Sequence, residues 1–183
     1  APHYQAYLWA TFLWAYHKTG YKPFLERTKN AIKMTMMAYP DKWQWTNGIQ
    51  QERARMLLPL SWLVRVEDTT EHRDWLRKIA KDMIEDQDGC GAIREELGDL
   101  SRGSYPPPRS NEEYGTNEAS LISQNGDPVC DLLYTTNFAF LALHEAASAT
   151  GEDFIIKAED KLAEFLCRIQ VSSEKHPELD GAW

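Results

Sequence analysis

The sequence predicts an all-α domain of three consecutive helical hairpins, each with a buried inner helix and an amphipathic outer one. Three observations predict it. Stretches that are apolar on nearly every face alternate with stretches that carry a single apolar stripe, and a helix hydrophobic all round is a helix buried all round. The turns inside each pair are short, whereas the connections between pairs are long. The letters also repeat: AYHKTGYKPFLERTKNAI at 15–32 and AASATGEDFIIKAEDKLA at 146–163 share a small-residue helix end, Thr-Gly, and a Phe soon after. This spacing is not that of a tetratricopeptide array, and two concentric layers of helices satisfy it.

Taken in order, residues 4–18 are apolar throughout: Tyr7, Leu8, Trp9, Phe12, Leu13, Trp14 and Tyr16 leave no polar stripe, so this helix is expected to be buried on all sides. Thr19-Gly20 ends it with Gly as the left-handed cap, and Pro23 opens the next helix where a first turn tolerates proline. Over 24–39, Phe24, Thr28, Ala31, Ile32, Thr35 and Ala38 share one face against Glu26, Lys29, Asn30 and Lys33, which is a surface helix. Residues 53–66 are apolar through their middle, with a kink expected at Pro59. After a turn at 67–70, the stripe Trp75, Leu76, Ile79, Ala80, Met83, Ile84 marks an outer helix. The third round is an apolar segment at 131–149, a Thr150-Gly151 turn and an amphipathic segment at 152–169.

Between the second and third rounds lies the segment 89–129, rich in Gly, Pro, Ser, Asn, carboxylates and tyrosines. A loop of that length inside a compact helical domain is either functional or disordered. Its apolar anchors (Ile93, Leu97, Leu100, Tyr105, Tyr114, Leu121, Ile122) predict an ordered functional loop. All connections between hairpins (40–51, 89–129 and 171–183) fall at one end of the array, and they hold Trp43, Trp45, Trp183 and most loop carboxylates. One end has been elaborated, as a binding face would be.

The 183 residues make one domain, 1–183, with room for a sizeable core. The formal charge of −8 argues against nucleic acid, which calls for a basic face. The longest apolar run, 6–16, is too short for a membrane span, which takes roughly 20 residues. A start without Met and a stop on apolar Trp183 point to a piece of a longer protein. Cys90, Cys130 and Cys167 form no CxxC or zinc pattern. Cys90 and Cys130 stand at the two feet of the long loop. A bond between them would add about 4 kcal/mol of loop constraint, although free buried cysteines are common. No nucleophile elbow, Walker loop or dinucleotide fingerprint is present, and HEAAS at His144 lacks the second His of a zinc helix. No metal site is expected, and His144 is read as a satisfied core or lumen histidine.

The hairpin order, the segment YGTNEASLISQNGDPVCDLLYTTNFAFLALHEAA at 114–147 and the terminal HPELDGAW resemble the six-hairpin, (α/α)6-toroid glycosidase superfamily, in particular its bacterial polysaccharide-degrading members. The resemblance implies that three hairpins are about half of a toroid, the remainder coming from missing sequence or a second subunit. It also implies a sugar cleft at the elaborated end, an extracytoplasmic setting, and glycoside hydrolysis of a polysaccharide or oligosaccharide, with uronate-containing chains among the candidates. Catalysis would be by carboxylate general acid and base, without a cofactor. Related toroids include lyases and epimerases, so fold alone does not assign the reaction.

Glycosidic cleavage needs one carboxylic acid to protonate the leaving oxygen and a second carboxylate to activate water or attack. The candidates are Asp131, in the first turn of the third inner helix; Glu118, flanked by small residues in YGTNEASL; and Asp180 in DGAW. Capping or loop bracing is the alternative role for Glu118. Asp127, before Pro128, reads as a helix cap with Pro at the first helical position. Trp43 and Trp45 in DKWQWTNG are candidates for stacking on sugar rings, against the alternative that they close the hairpin interface. Tyr114 and Trp183 are further candidate contacts, and Arg53 and Arg109 have the planar fork that grips a uronate carboxylate. A non-catalytic helical-repeat domain that binds glycan or protein through the same face is the competing reading.

Overall fold

A computed structural model describes residues 2–85, 87–113 and 116–182, and the described residues form an all-helical fold without strands. Six α-helices make three hairpins: α1 (Gln5–Thr19) with α2 (Lys22–Met37), α3 (Ile49–Val66) with α4 (Thr70–Ile84), and α5 (Asn137–Thr150) with α6 (Asp153–Ile169). The inner helices stand in a row, with α3 packed against α1 on one side and α5 on the other, and each outer helix packs on its own inner partner. Ion pairs tie the outer layer together, from Lys33 of α2 to Glu71 of α4 (3.8 Å) and from Arg77 of α4 to Glu152 at the head of α6 (2.9 Å).

The repeat in the letters is a repeat in hydrogen bonds. Gly20 and Gly151 take the same left-handed conformation, both at φ 68°, which glycine adopts without steric cost. Their N–H groups reach back to the carbonyls of Tyr16 (2.7 Å) and Ala147 (2.8 Å). The Thr19 hydroxyl donates to Ala15 O (2.7 Å) and accepts from Tyr21 N (3.2 Å). Thr150 does the same with Ala146 O (2.8 Å) and Glu152 N (3.3 Å).

The inner helices differ from expectation in how much they bury. In α3 fourteen of eighteen residues are buried, polar ones included. In α1 only Ala6, Ala10 and Leu13 are buried, and in α5 only Ala139, Ala142, Leu143 and Ala146. Leu8, Trp14 and Leu141 are about half exposed, because α1 and α5 have an inner neighbour on one flank only. Beside α5 the open flank forms a largely apolar groove of about 470 Å³ against α6, lined by Leu132, Leu133, Phe140 and Leu166.

Local corrections follow from tertiary contacts. Helix α3 begins at Ile49 rather than at 53, because the Glu96 carbonyl of the long loop accepts the Ile49 N–H (2.8 Å), and it runs on through Pro59. The third inner segment is a π-helical turn, Leu132–Thr136, that leads into α5. Asp127 does not cap it: its carboxylate closes a turn by accepting from Ser123 N and Gln124 N, both at 3.0 Å. His144 lies on the surface rather than in the core, paired with Glu159 (2.8 Å). The three cysteines are free; Cys90 is exposed, while the Cys130 sulfur meets the Thr136 hydroxyl at 3.0 Å. Burial pushes the Cys130 thiol up from its ordinary range, and the Thr136 hydroxyl pulls it back. Among the described residues no helix is long and apolar enough to cross a membrane.

The segment 89–129 is fixed by Ile93, Leu97 and Ile122, all buried, whereas Leu100 is exposed. Backbone bonds from Glu95 N to Val129 O (2.9 Å) and from Leu97 N to the Asn125 side chain (2.8 Å) draw its two limbs together.

Candidate functional site

The N-terminal ends of the inner helices converge at the elaborated end, around a cavity of about 360 Å³. His3 and Tyr4 enter from the head of α1. Thr46 and Asn47 precede α3, and Gln51 and Arg55 belong to its first turns. Tyr134 comes from the π turn before α5, and Tyr105 and Glu118 from the long loop. Helix N-termini carry partial positive charge, so carboxylates at this end are electrostatically favoured.

Behind the cavity a charged chain is assembled from residues far apart in sequence. Glu52 is 1 % exposed and accepts from His3 N (2.9 Å) and His3 Nδ1 (2.7 Å). The Arg55 guanidinium lies against both nitrogens of the same ring, Nδ1 and, at 3.1 Å, Nε2. The guanidinium also lies over the Phe138 ring (4.8 Å) and near the Tyr134 ring (5.9 Å). His3 thus stands between the Glu52 carboxylate and the buried Arg55 cation, which two rings flank. Tyr7, half-buried beside it, has its phenol pushed up to about 12 by burial, with Arg55 pulling in the opposite direction.

Two residues that line the cavity each hold an enclosed amide atom without a hydrogen-bond partner. Gln51 is 1 % exposed, and its Nε2 has no hydrogen-bond partner. Asn47 Oδ1, also on the wall, has none either. One wants an acceptor and the other a donor, and Glu118 adds a carboxylate, Tyr105 and Tyr134 two phenols and Thr46 a hydroxyl.

Of the residues singled out in the sequence, Glu118 lines this cavity. Asp131 stands at the same end, but its carboxylate caps the π turn, accepting from the N–H groups of Leu133 (3.0 Å), Tyr134 (3.2 Å) and Thr135 (3.3 Å). Asp180 sits in the closed turn at 171–182, where it accepts from Ser173 N (3.1 Å), and it does not line the cavity.

Trp43 and Trp45 are 1 % and 2 % exposed and offer no ring face to a ligand; this corrects their reading as stacking platforms. Trp43 donates to Thr35 O (2.9 Å) and packs edge-on against Tyr39. Trp45 pairs its backbone with the long loop through Arg102 O (3.2 Å) and Ser104 N (2.8 Å), so the two tryptophans join the connections to the hairpins. Arg53 is likewise a brace, donating to Tyr39 Oη (3.0 Å), Gln50 Oε1 (3.2 Å) and Glu96 Oε2 (2.5 Å). Tyr114 and Trp183 lie outside the described residues.

Sequence reasoning missed His3, Gln51, Glu52 and Arg55. A usable signal was there: polar residues at 51, 52 and 55 cluster on one side of a helix that is apolar through its middle.

The fold and cavity thus define an all-α hairpin domain with a polar site at one end. Compared with known proteins, the chain matches no family model, no curated protein and no solved structure.

Proposed function

We propose that this chain is a carbohydrate-active domain of the α/α-toroid glycosidase type, a glycoside hydrolase that holds a sugar in the mouth cavity and uses no cofactor. One observation carries the reading: amides (Asn47, Gln51), hydroxyls (Thr46, Tyr105, Tyr134) and the Glu118 carboxylate gather around one space. Hydroxyl groups donate and accept at once, so a polyhydroxylated ring suits a wall of this mixed kind. Pockets of about 300–1,000 Å³ are usual for small ligands, and the cavity falls in that range.

In this reading Glu118 is one of the two carboxyl groups that cleavage needs, the second coming with the remaining hairpins of the ring, and Arg55 holds the wall in place. Asp131 serves by fixing the π turn that carries Tyr134. The remaining hairpins of the ring come from further sequence or from a second subunit, a reading supported by the apolar flanks that α1 and α5 leave open.

The competing reading, a non-catalytic glycan- or protein-binding domain, is favoured by the engagement of Asp131 and Asp180 in backbone hydrogen bonds. One experiment separates the two. Reducing-end release is assayed on uronate-containing and neutral polysaccharides with the wild type, Glu118→Gln and Gln51→Ala. The hydrolase reading expects turnover in the wild type, a loss of about 100-fold or more in Glu118→Gln with binding retained, and weaker binding in Gln51→Ala. Binding without turnover in the wild type selects the binding domain.

A further inference from the structure

Arg55 is the one buried arginine among the described residues, 6 % exposed, and no carboxylate of those residues pairs with it directly. Burying a charge is costly unless an opposite charge compensates it. The half-buried arginines Arg53, Arg65, Arg73 and Arg77 follow that rule, each meeting an Asp or Glu. At the mouth the buried carboxylate is Glu52, and it spends both oxygens on His3, Oε2 on the backbone N–H and Oε1 on Nδ1.

Only one corner of the guanidinium is committed. Its hydrogen bonds leave from Nη1, to the ring nitrogens of His3. Nε and Nη2 make no hydrogen bond to the described residues, and neither is sealed from solvent, in a residue that lines the mouth cavity. These two nitrogens form the side edge of the planar fork, whose parallel N–H groups match two oxygens of a carboxylate or sulfate. Phe138 and Tyr134 flank the guanidinium and keep the surroundings apolar, which strengthens contact with an anion. The helix N-termini at this end favour negative charge as well. Glu118 lines the same cavity but is exposed, so water screens its charge.

We infer that Arg55 is the anion-recognition residue of the mouth: the ligand carries an oxyanion, a carboxylate or a sulfate, that takes the edge formed by Nε and Nη2. The inference rests on the carbohydrate reading and adds to it the charge of the sugar and the residue that reads it. An acidic sugar supplies the counter-charge that the fold withholds from Arg55; a neutral one does not. Arg109, whose fork suggested such a role from the sequence, is exposed and does not line this cavity.

The test is calorimetric titration with two sugar series that differ in charge alone: galactose, galacturonic acid and galactose 6-sulfate, and the same three forms of glucose. The proteins are the wild type, Arg55→Gln and Arg109→Ala. In the responsive series an acidic sugar binds the wild type at least about tenfold more tightly than its neutral parent. The better of the two acids tells whether the site takes a carboxylate or a sulfate. Arg55→Gln removes the preference and keeps the neutral binding, while Arg109→Ala changes neither. Because Arg55 is buried, the fold of its variant is checked by circular dichroism, and a second readout leaves the residue intact. The Nε–H NMR signal of Arg55 in the wild type moves further with the saturating acid than with the saturating neutral parent. Equal binding of acidic and neutral sugars, a preference that survives in folded Arg55→Gln, or an Arg55 signal indifferent to the acid overturns the anion site and leaves the carbohydrate reading standing. Failure of every sugar to bind the wild type overturns both.

Discussion

Helices α3 and α1 are both inner helices and meet different fates. In α3 fourteen of eighteen residues are buried, among them Gln50, Gln51, Glu52, Arg55 and Ser61; in α1 three of fifteen are. Hydrophobicity does not account for this, since the helix with more polar residues is the more buried. Position does: α3 has α1, α4 and α5 around it and the loop carbonyl of Glu96 over its first turn, while α1 and α5 each keep a flank without an inner neighbour. Burial here belongs to the place in the row.

The largest effect that sharpens this contrast is expected from paired truncations. Leu57 in α3 is fully buried, and Leu57→Ala is expected to cost about 2–5 kcal/mol, the lost transfer energy plus a cavity the packed row cannot close. Leu141 in α5 is 45 % exposed, and Leu141→Ala is expected to stay within about 0.5 kcal/mol. Urea denaturation of both variants reads the difference. Equal costs would break the contrast, because they would require the α5 flank to be covered in solution.

A second pair compares crowded and open positions among the connections. A Cβ on Gly103 would come within 2.4 Å of the buried Trp45 ring, which is hemmed in by the core and has nowhere to move. Gly103→Ala is expected to destabilise by about 1–3 kcal/mol through overpacking. At Gly89, where nothing lies within 4 Å, the same change is expected to be close to neutral. Thermal melts of the two variants decide it, and a neutral Gly103→Ala would mean that the Trp45 junction yields.

These pairs also mark what was legible in the sequence. The hairpin order and the Thr-Gly turns could be read because capping is local: a hydroxyl, a left-handed glycine and two carbonyls within six residues suffice. The elaborated end could be read from the lengths of the connections. The burial of Trp45 could not, since it depends on a backbone pairing with Gly103, which lies far along the chain. The mouth cavity was hidden for the same reason, since His3, Arg55 and Glu118 meet only once the three hairpins stand side by side. Glu118 became a candidate because its loop was suspect as a whole, and it lines the cavity. Asp131 was placed at the correct end, but the geometry of its three backbone bonds is set by a π turn that the letters do not announce.

The smallest expected effect concerns the one face of α1 that does have company. Tyr7 packs on Phe138 (5.2 Å between rings), so α1 and the start of α5 touch above α3 at the mouth. Burial raises its phenol to about 12, compared with about 10 in an unfolded chain. A raised pKa means that the fold favours the protonated form, so this stabilisation is complete below about pH 10, shrinks as the unfolded tyrosine ionises, and is gone above about pH 12. Because the group is half-exposed, solvent screening holds the effect to about 1 kcal/mol. The melting temperature is therefore expected to fall between pH 10 and pH 12. Tyr7→Phe is expected to flatten part of that fall while changing little at pH 7, since Phe keeps the ring contact with Phe138. An alkaline slope identical in wild type and Tyr7→Phe would show that the mouth end of α1 opens to water as freely as its outer flank, and the contrast between the covered and uncovered sides of that helix would fail there.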